Sequence, residues 1–171
     1  MTLYRKIIPQ IARDILRTLC SSEAIEVDES KMNEAELDLA AVMVAHQNIE
    51  EKISQEAAET ITRLKMPKER FLQMKQKFAE KYNVKVGDDS MEYLVNQILE
   101  ALFASKNIEE IFAPDPDLRK IIKLCMDKSL KISSEIEQEA KSRLKNLKEG
   151  TVEWDIEYPR MVAQIKRQKG L

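Results

Sequence analysis

The chain has 171 residues, 43% hydrophobic and 34% charged, with only 3 Gly, 5 Pro, 2 Cys and 1 His. The apolar share supports a real core and excludes wholesale disorder, while the scarcity of Gly and Pro favours long helices with short connections over a sheet. A net charge of −2 gives no global signal for nucleic acid, and no apolar run approaches the roughly 18–20 residues of a membrane span.

The opening Met1-Thr2-Leu3-Tyr4-Arg5-Lys6 has no long apolar stretch behind it and reads as the start of the fold, not as a signal peptide. Ile8, Ile11, Ile15 and Leu19 have the spacing of one helix face and predict a helix over 7–21, with Pro9 in its first turn. An acidic connector over 24–28 follows. A second helix is expected after Ser30, carrying Leu39, Val42 and Met43, and a third carrying Ile49, Ile53, Ala57, Ile61 and Leu64. Asn48-x-x-Glu51 resembles a capping box and favours a break between them, although the stripe through Val42, His46 and Ile49 also permits one long kinked helix. A fourth helix follows Pro67, with Phe71, Met74, Phe78 and Tyr82.

After the short junction 83–89 the pattern starts again. A helix over 89–104 carries Met91, Leu94, Val95, Ile98 and Leu102, with Asp88 or Asp89 placed to cap it. The connector 107–112 follows, then a helix beginning at Asp115-Pro116 with Ile121, Ile122 and Cys125. Ser134-x-x-Glu137 favours a break before the stretch with Ile132, Ile136, Ala140, Leu144 and Leu147. Thr151 is placed to cap a last helix with Trp154, Tyr158, Met161 and Ile165, and Pro159 predicts a kink or short break near Tyr158.

Sliding the sequence against itself by 83 positions aligns the halves without a gap. Ile15-Leu16 falls on Ile98-Leu99, Leu19 on Leu102, Ile25-Glu26 on Ile108-Glu109, Ile53 on Ile136, and Gln55-Glu56-Ala57 on Gln138-Glu139-Ala140. A self-match this long marks a structural unit. The reading is an all-α protein of two tandem, pseudo-symmetric four-helix units, 1–85 and 86–171, packed as one compact domain. Segments 24–28 and 107–112 either pair as a minimal two-stranded ribbon or stay as loops pinned by Ile25 and Ile108.

Several unusual stretches carry a resemblance. They are Arg5-Lys6-Ile7-Ile8-Pro9-Gln10-Ile11-Ala12, Glu92-Tyr93-Leu94-Val95-Asn96-Gln97-Ile98-Leu99, Glu109-Glu110-Ile111-Phe112, Leu144-Lys145-Asn146-Leu147-Lys148-Glu149-Gly150-Thr151, Trp154-Asp155-Ile156-Glu157-Tyr158, and the ending Gln164-Ile165-Lys166-Arg167-Gln168-Lys169-Gly170-Leu171. In this order, over nearly the whole chain, they make it similar to a bacterial family catalogued as domain of unknown function 507. The resemblance implies a bacterial cytoplasmic protein with a helical fold. It implies no activity and supplies no functional residues.

The search for catalytic chemistry is mostly negative, and no catalytic residue, cofactor or metal site is expected. His46 is the one histidine, with only Glu50 in helical reach, so no nucleophile–base pair is legible. One His and two distant Cys cannot form a zinc or ferritin-like site, and Cys20 and Cys125 read as reduced core thiols. Glu26, Asp28 and Glu29 lack the spacing of a calcium loop and read as solvated charge. Gln55-Glu56 and its copy Gln138-Glu139 flank the core stripe and read as surface packing, with a shared partner-binding role as the sharper alternative.

Charge is the most informative feature. Residues 22–62 sum to −9, 63–85 to +6, 86–118 to −7 and 119–148 to +5. The alternation fits complementary faces within one fold or between copies of it, and so a homo-oligomer. The leading expectation is a non-enzymatic interaction or adaptor protein. Trp154, Tyr158, Lys166, Arg167 and Lys169 on the last helix are its candidate partner-binding residues. The alternative is a nucleic-acid- or ribosome-associated protein that uses basic segments 63–85 and 141–169. Its candidate phosphate contacts are Lys65, Lys68, Arg70, Lys75, Lys77, Lys81, Arg143, Lys145 and Lys148.

Overall fold

The computed structural model describes Leu3 and residues 5–170. Met1, Thr2, Tyr4 and Leu171, and with them the reading of the chain's two ends, lie outside the described residues. Six helices account for most of the described chain: α1 (Ile8–Ser21), α2 (Met32–Arg63), α3 (Phe71–Lys81), α4 (Ser90–Ala104), α5 (Asp115–Arg143) and α6 (Val152–Gln168). Two short strands, β1 (Ile25–Glu26) and β2 (Glu110–Ile111), pair antiparallel with Ile25 opposite Ile111 and Glu26 opposite Glu110. The fold is all-α with this minimal ribbon.

The expected break inside each long helix does not occur. Each half therefore has three helices, not four, and α2 and α5 run unbroken for 32 and 29 residues, about 48 and 43 Å. The reason is legible in burial. Along α2 the buried positions are Ala35, Leu39, Met43, His46, Ile53, Ala57 and Ile61. Along α5 they are Leu118, Ile122, Met126, Ser129, Ser133, Ile136 and Ala140, followed by Leu144 just past its end. In α5 the steps are all threes and fours, so one continuous stripe faces the core, and breaking the helix would turn half of it away. Asn48 and Ser134 are exposed mid-helix residues, and neither caps anything.

Helix starts follow local chemistry with small departures from expectation. Asp28 accepts a hydrogen bond from the Ser30 amide (2.8 Å) and opens a 3₁₀ turn that leads into α2. The Thr151 hydroxyl accepts from the Trp154 amide (3.3 Å) and caps α6. Neither Asp88 nor Asp89 caps α4. A 3₁₀ turn over Gly87–Asp89 enters that helix, and the Ser90 hydroxyl donates back to the Gly87 carbonyl (2.7 Å).

Packing crosses between the halves. α1 lies against α2 and α5, and α4 lies against α5 and α2. Ile8, Ile11, Ile15, Leu16 and Leu19 of α1 and Leu94, Ile98, Leu99 and Leu102 of α4 join Leu39, Met43, Ile122 and Met126 in one core. Burying each such side chain contributes about 1.5–3 kcal/mol, so this shared core outweighs any contact confined to one half. Beyond it, each long helix continues as one leg of a hairpin, α2 with α3 and α5 with α6. A second, smaller cluster of Ile53, Ala79 and Val84, with Ile49, Phe78 and Tyr82 against it, closes the base of the first hairpin.

Polar pins sit at related places. Arg13 meets Glu36 (3.3 Å) between α1 and α2, and Asn96 accepts from Arg119 between α4 and α5; these are the same two positions displaced by 83 residues. Asp38 accepts from Ser105 (2.6 Å) and Asn107 (2.9 Å), tying the start of α2 to the end of α4.

Pro159 does not break α6, which runs from Val152 to Gln168 through it. The proline and Asp155, whose carbonyl loses its amide partner, are both exposed, so water can take the freed acceptor. Pro159→Ala is expected to restore that bond and stabilise the protein by about 1–3 kcal/mol, read as a rise in the thermal midpoint. A fall would show that α6 needs the proline's geometry to dock on α5.

Candidate functional site

The two long helices both begin beside the ribbon and both end at a hairpin tip, which sorts charge by position. Around the ribbon, Glu23, Glu26, Asp28, Glu29, Glu110, Asp115 and Asp117 are exposed and form no ion pair among the described residues. Glu26 and Glu110 stand directly opposite each other, an arrangement that costs stability. Three large apolar side chains are exposed at this acidic end: Leu37 (66%), Phe103 and Phe112.

The first tip is the converse: Arg63, Lys65, Lys68 and Arg70 flank exposed Leu64 and Leu72 (72%) where α2 turns into α3. The second tip has mixed charge, with exposed Lys145 and Lys148 beside exposed Glu149, Glu153 and Asp155 around Val152 (74%) and Ile156 where α5 turns into α6. None of these six cations forms an ion pair among the described residues. Acid at the helix starts and base at the ends also complements the helix dipole, worth about 0.3–1 kcal/mol per exposed charge. That gain explains charge at these positions. It does not explain bare apolar side chains among them.

The basic candidates divide between two hairpins. Lys81 pairs with Glu56 (3.6 Å), Arg143 pairs with Glu139, and Lys75 lies 5.8 Å from the Phe71 ring centroid, so these three serve contacts within the chain. Lys65, Lys68, Arg70, Lys77, Lys145 and Lys148 are exposed. Of the α6 candidates, Trp154 stacks on Tyr158 (centroids 5.2 Å, planes 15° apart), and Tyr158 is packed against the main core. Lys169 pairs with Glu139 (3.3 Å), the Arg167 guanidinium donates to the Ala163 carbonyl (3.4 Å), and Lys166 is half-buried. Burial first, then Lys6, holds the Lys166 ammonium below the ordinary lysine range.

The repeated glutamates act as clamps. Glu56 accepts from the Tyr82 hydroxyl and pairs with Lys81, fastening α3 to α2, while Glu139 takes Lys169 at the end of α6, fastening α6 to α5, and is braced by Arg143 of its own helix. Both carboxyls lie below the usual carboxylate range. The Tyr82 hydrogen bond is the main cause for Glu56, and the Lys169 hydrogen bond for Glu139. Glu56→Gln is expected to raise amide hydrogen exchange across α3 while leaving α1 and α4 protected. Unchanged exchange in α3 would show that the apolar contacts hold the hairpin alone.

His46 is 5% exposed and lies against Tyr93 of α4 (centroids 5.7 Å). Neither ring nitrogen has a hydrogen-bond partner among the described residues, and Glu50 stands 3.8 Å from Nε2. Burial lowers its pKa below the ordinary histidine value, against an upward pull from Glu50. A depressed folded-state pKa means stability that is present above the unfolded value of about 6.5 and lost as pH falls through the folded one. Urea unfolding of the wild-type chain is therefore expected to weaken between pH 7.5 and 5, and His46→Gln to flatten that slope. Parallel slopes would assign the loss to other groups.

Cys20 and Cys125 are half-buried and pack against the edge of the main core, and the Cys125 thiol is 3.8 Å from the Thr18 hydroxyl. Burial raises both thiols above their ordinary pKa, which disfavours the reactive thiolate. Concave regions are open grooves, one of them along α5 beside Leu124, Lys128, Leu130 and Lys131. Among the described residues no group of three His, Cys, Asp or Glu side chains is placed to hold a metal, and no helix is long and apolar enough to cross a membrane.

The sequence model of a family described as protein of unknown function (DUF507) matches residues 1–171, the whole chain. The protein belongs to this family. No curated protein matches the sequence. Membership agrees with the resemblance in the sequence and leaves function to be argued from the surfaces just described. The acidic end with Leu37, Phe103 and Phe112 was missed in the sequence. Its signal was the pair of acidic connectors, whose convergence at one end depends on the ribbon.

Proposed function

We propose that this is a non-enzymatic helical interaction protein of the bacterial cytoplasm that docks a protein partner through its charged ends. The observation that supports this is where most of the exposed large apolar side chains fall. Leu37, Phe103 and Phe112 lie at the acidic end, Leu64 and Leu72 at one tip, and Val152 and Ile156 at the other, with only Leu124 and Ile132 of the described residues elsewhere, along α5. Apolar centres with a charged rim are the anatomy of protein interfaces, where the centre supplies affinity and the rim supplies specificity and rate. A phosphate backbone would use the cations and leave the aliphatic side chains without purpose.

Nucleic-acid binding is the second reading, favoured by the six unpaired cations at the tips. A tagged pull-down from the host, with and without nuclease, separates the two when wild type is compared with Leu72→Glu and, as a control on the α5 groove, Leu124→Glu. A defined partner that survives nuclease, is lost with Leu72→Glu and is retained with Leu124→Glu supports docking through the tips. Capture abolished by nuclease moves the assignment to nucleic acid.

A further inference from the structure

We propose that the occupant of the acidic end is a second copy of this chain, whose basic α2–α3 tip seats on it. The inference rests on the ends being interaction surfaces, as argued above, and names the partner. Its basis is that the molecule carries both halves of one complementary contact and cannot close that contact on itself.

The signs are opposite. Glu23, Glu26 and Glu110 lie exposed and unpaired at the ribbon, and Lys65 and Lys68 lie exposed and unpaired at the α2–α3 tip. Each surface also presents bare apolar side chains, so a contact would bury Phe103 and Phe112 against Leu64 and Leu72 while the charges pair at the rim. Within one molecule the two surfaces are at opposite ends of α2, about 48 Å apart and far beyond the roughly 8 Å over which salt leaves exposed charges coupled. The helix is continuous, so no hinge brings them together. A contact between the two surfaces therefore takes a second molecule.

Symmetry fits the same arrangement. Residues 83 apart are equivalent, and the ribbon's antiparallel register of 25 with 111 and 26 with 110 is the register that such equivalence preserves. The acidic end is thus centred on the relation that exchanges the two hairpins. The contact closes as an antiparallel twofold dimer where the acidic end of each copy meets the tip of the other, and otherwise it forms a ring or a growing chain.

Sedimentation velocity on the full chain tests this. In about 25 mM salt the weight-average mass is expected to rise with concentration to at least twice the 19.8 kDa of the monomer, and to return to it in about 500 mM salt. A tip variant (Lys65→Glu, Lys68→Glu) and an acidic-end variant (Glu23→Lys, Glu26→Lys, Glu110→Lys) are each expected to stay monomeric. Mixed in equal amounts, they are expected to associate, because the contact is restored with its signs exchanged. All five positions are exposed, and circular dichroism checks that both variants keep their helices. A wild-type chain that stays at 19.8 kDa throughout, or that associates regardless of salt and charge reversal, overturns the proposal. Such a monomer that still captures a nuclease-resistant partner in the pull-down would leave the interaction reading standing and reject only the second copy as occupant.

Discussion

The core that α1 and α4 share with the two long helices is the constraint on which the rest depends. Each short helix is too apolar on one face to stand alone, and each lies across both α2 and α5. Neither half can bury its own stripe without the other's helix. The register of α2 and α5 follows from this, because Leu39 and Met43 must meet α1 and α4 at the same level as Ile122 and Met126. The ribbon is a consequence, since it joins the two connectors that this packing brings side by side.

From that core outward, cohesion weakens in a definite order. α3 contributes one fully packed residue, Ala79, and is held on by Phe78, Tyr82 and the Glu56 clamp. α6 contributes Ile165, with Tyr158 and Met161 against the core and Glu139 gripping its far end. The hairpins therefore pair a stiff leg, continuous with the core, with a lighter leg docked upon it. Such a design projects a tip from a fixed point while leaving its surface chemistry open to variation. The exposed apolar side chains at those tips have no structural task in the fold, whereas the charges at least answer the helix dipole.

At His46 the two halves differ in a buried polar group. The equivalent position in α5 is Ser129, whose hydroxyl finds the Cys125 carbonyl (3.3 Å), as a small helical hydroxyl can. An imidazole cannot bond its own helix in this way, so His46 is buried without a partner beside Tyr93. The first hairpin thus meets the core through a group sensitive to pH, and the second through an inert one.

The sequence by itself determined the all-α class and most of the residues that make up the core. Each of these is written in local spacing: Ile8, Ile11, Ile15 and Leu19 specify a face whatever they pack against. It also carried the signal for continuous long helices in the unbroken threes and fours from Leu118 to Leu144, but two capping-box patterns pointed the other way. A capping box offers about one hydrogen bond, and a continuous buried stripe offers many side chains' worth of burial. Only the tertiary structure decided where the charges go. Alternating acidic and basic segments along a chain are equally consistent with interleaved faces and with separated ends. The ribbon places the starts of both long helices together, and their rigidity carries their ends away, so the alternation becomes one acidic end, a basic tip on the first hairpin and a tip of mixed charge on the second. That outcome depends on contacts between residues more than 80 apart, such as Ile25 with Ile111, which no local pattern encodes.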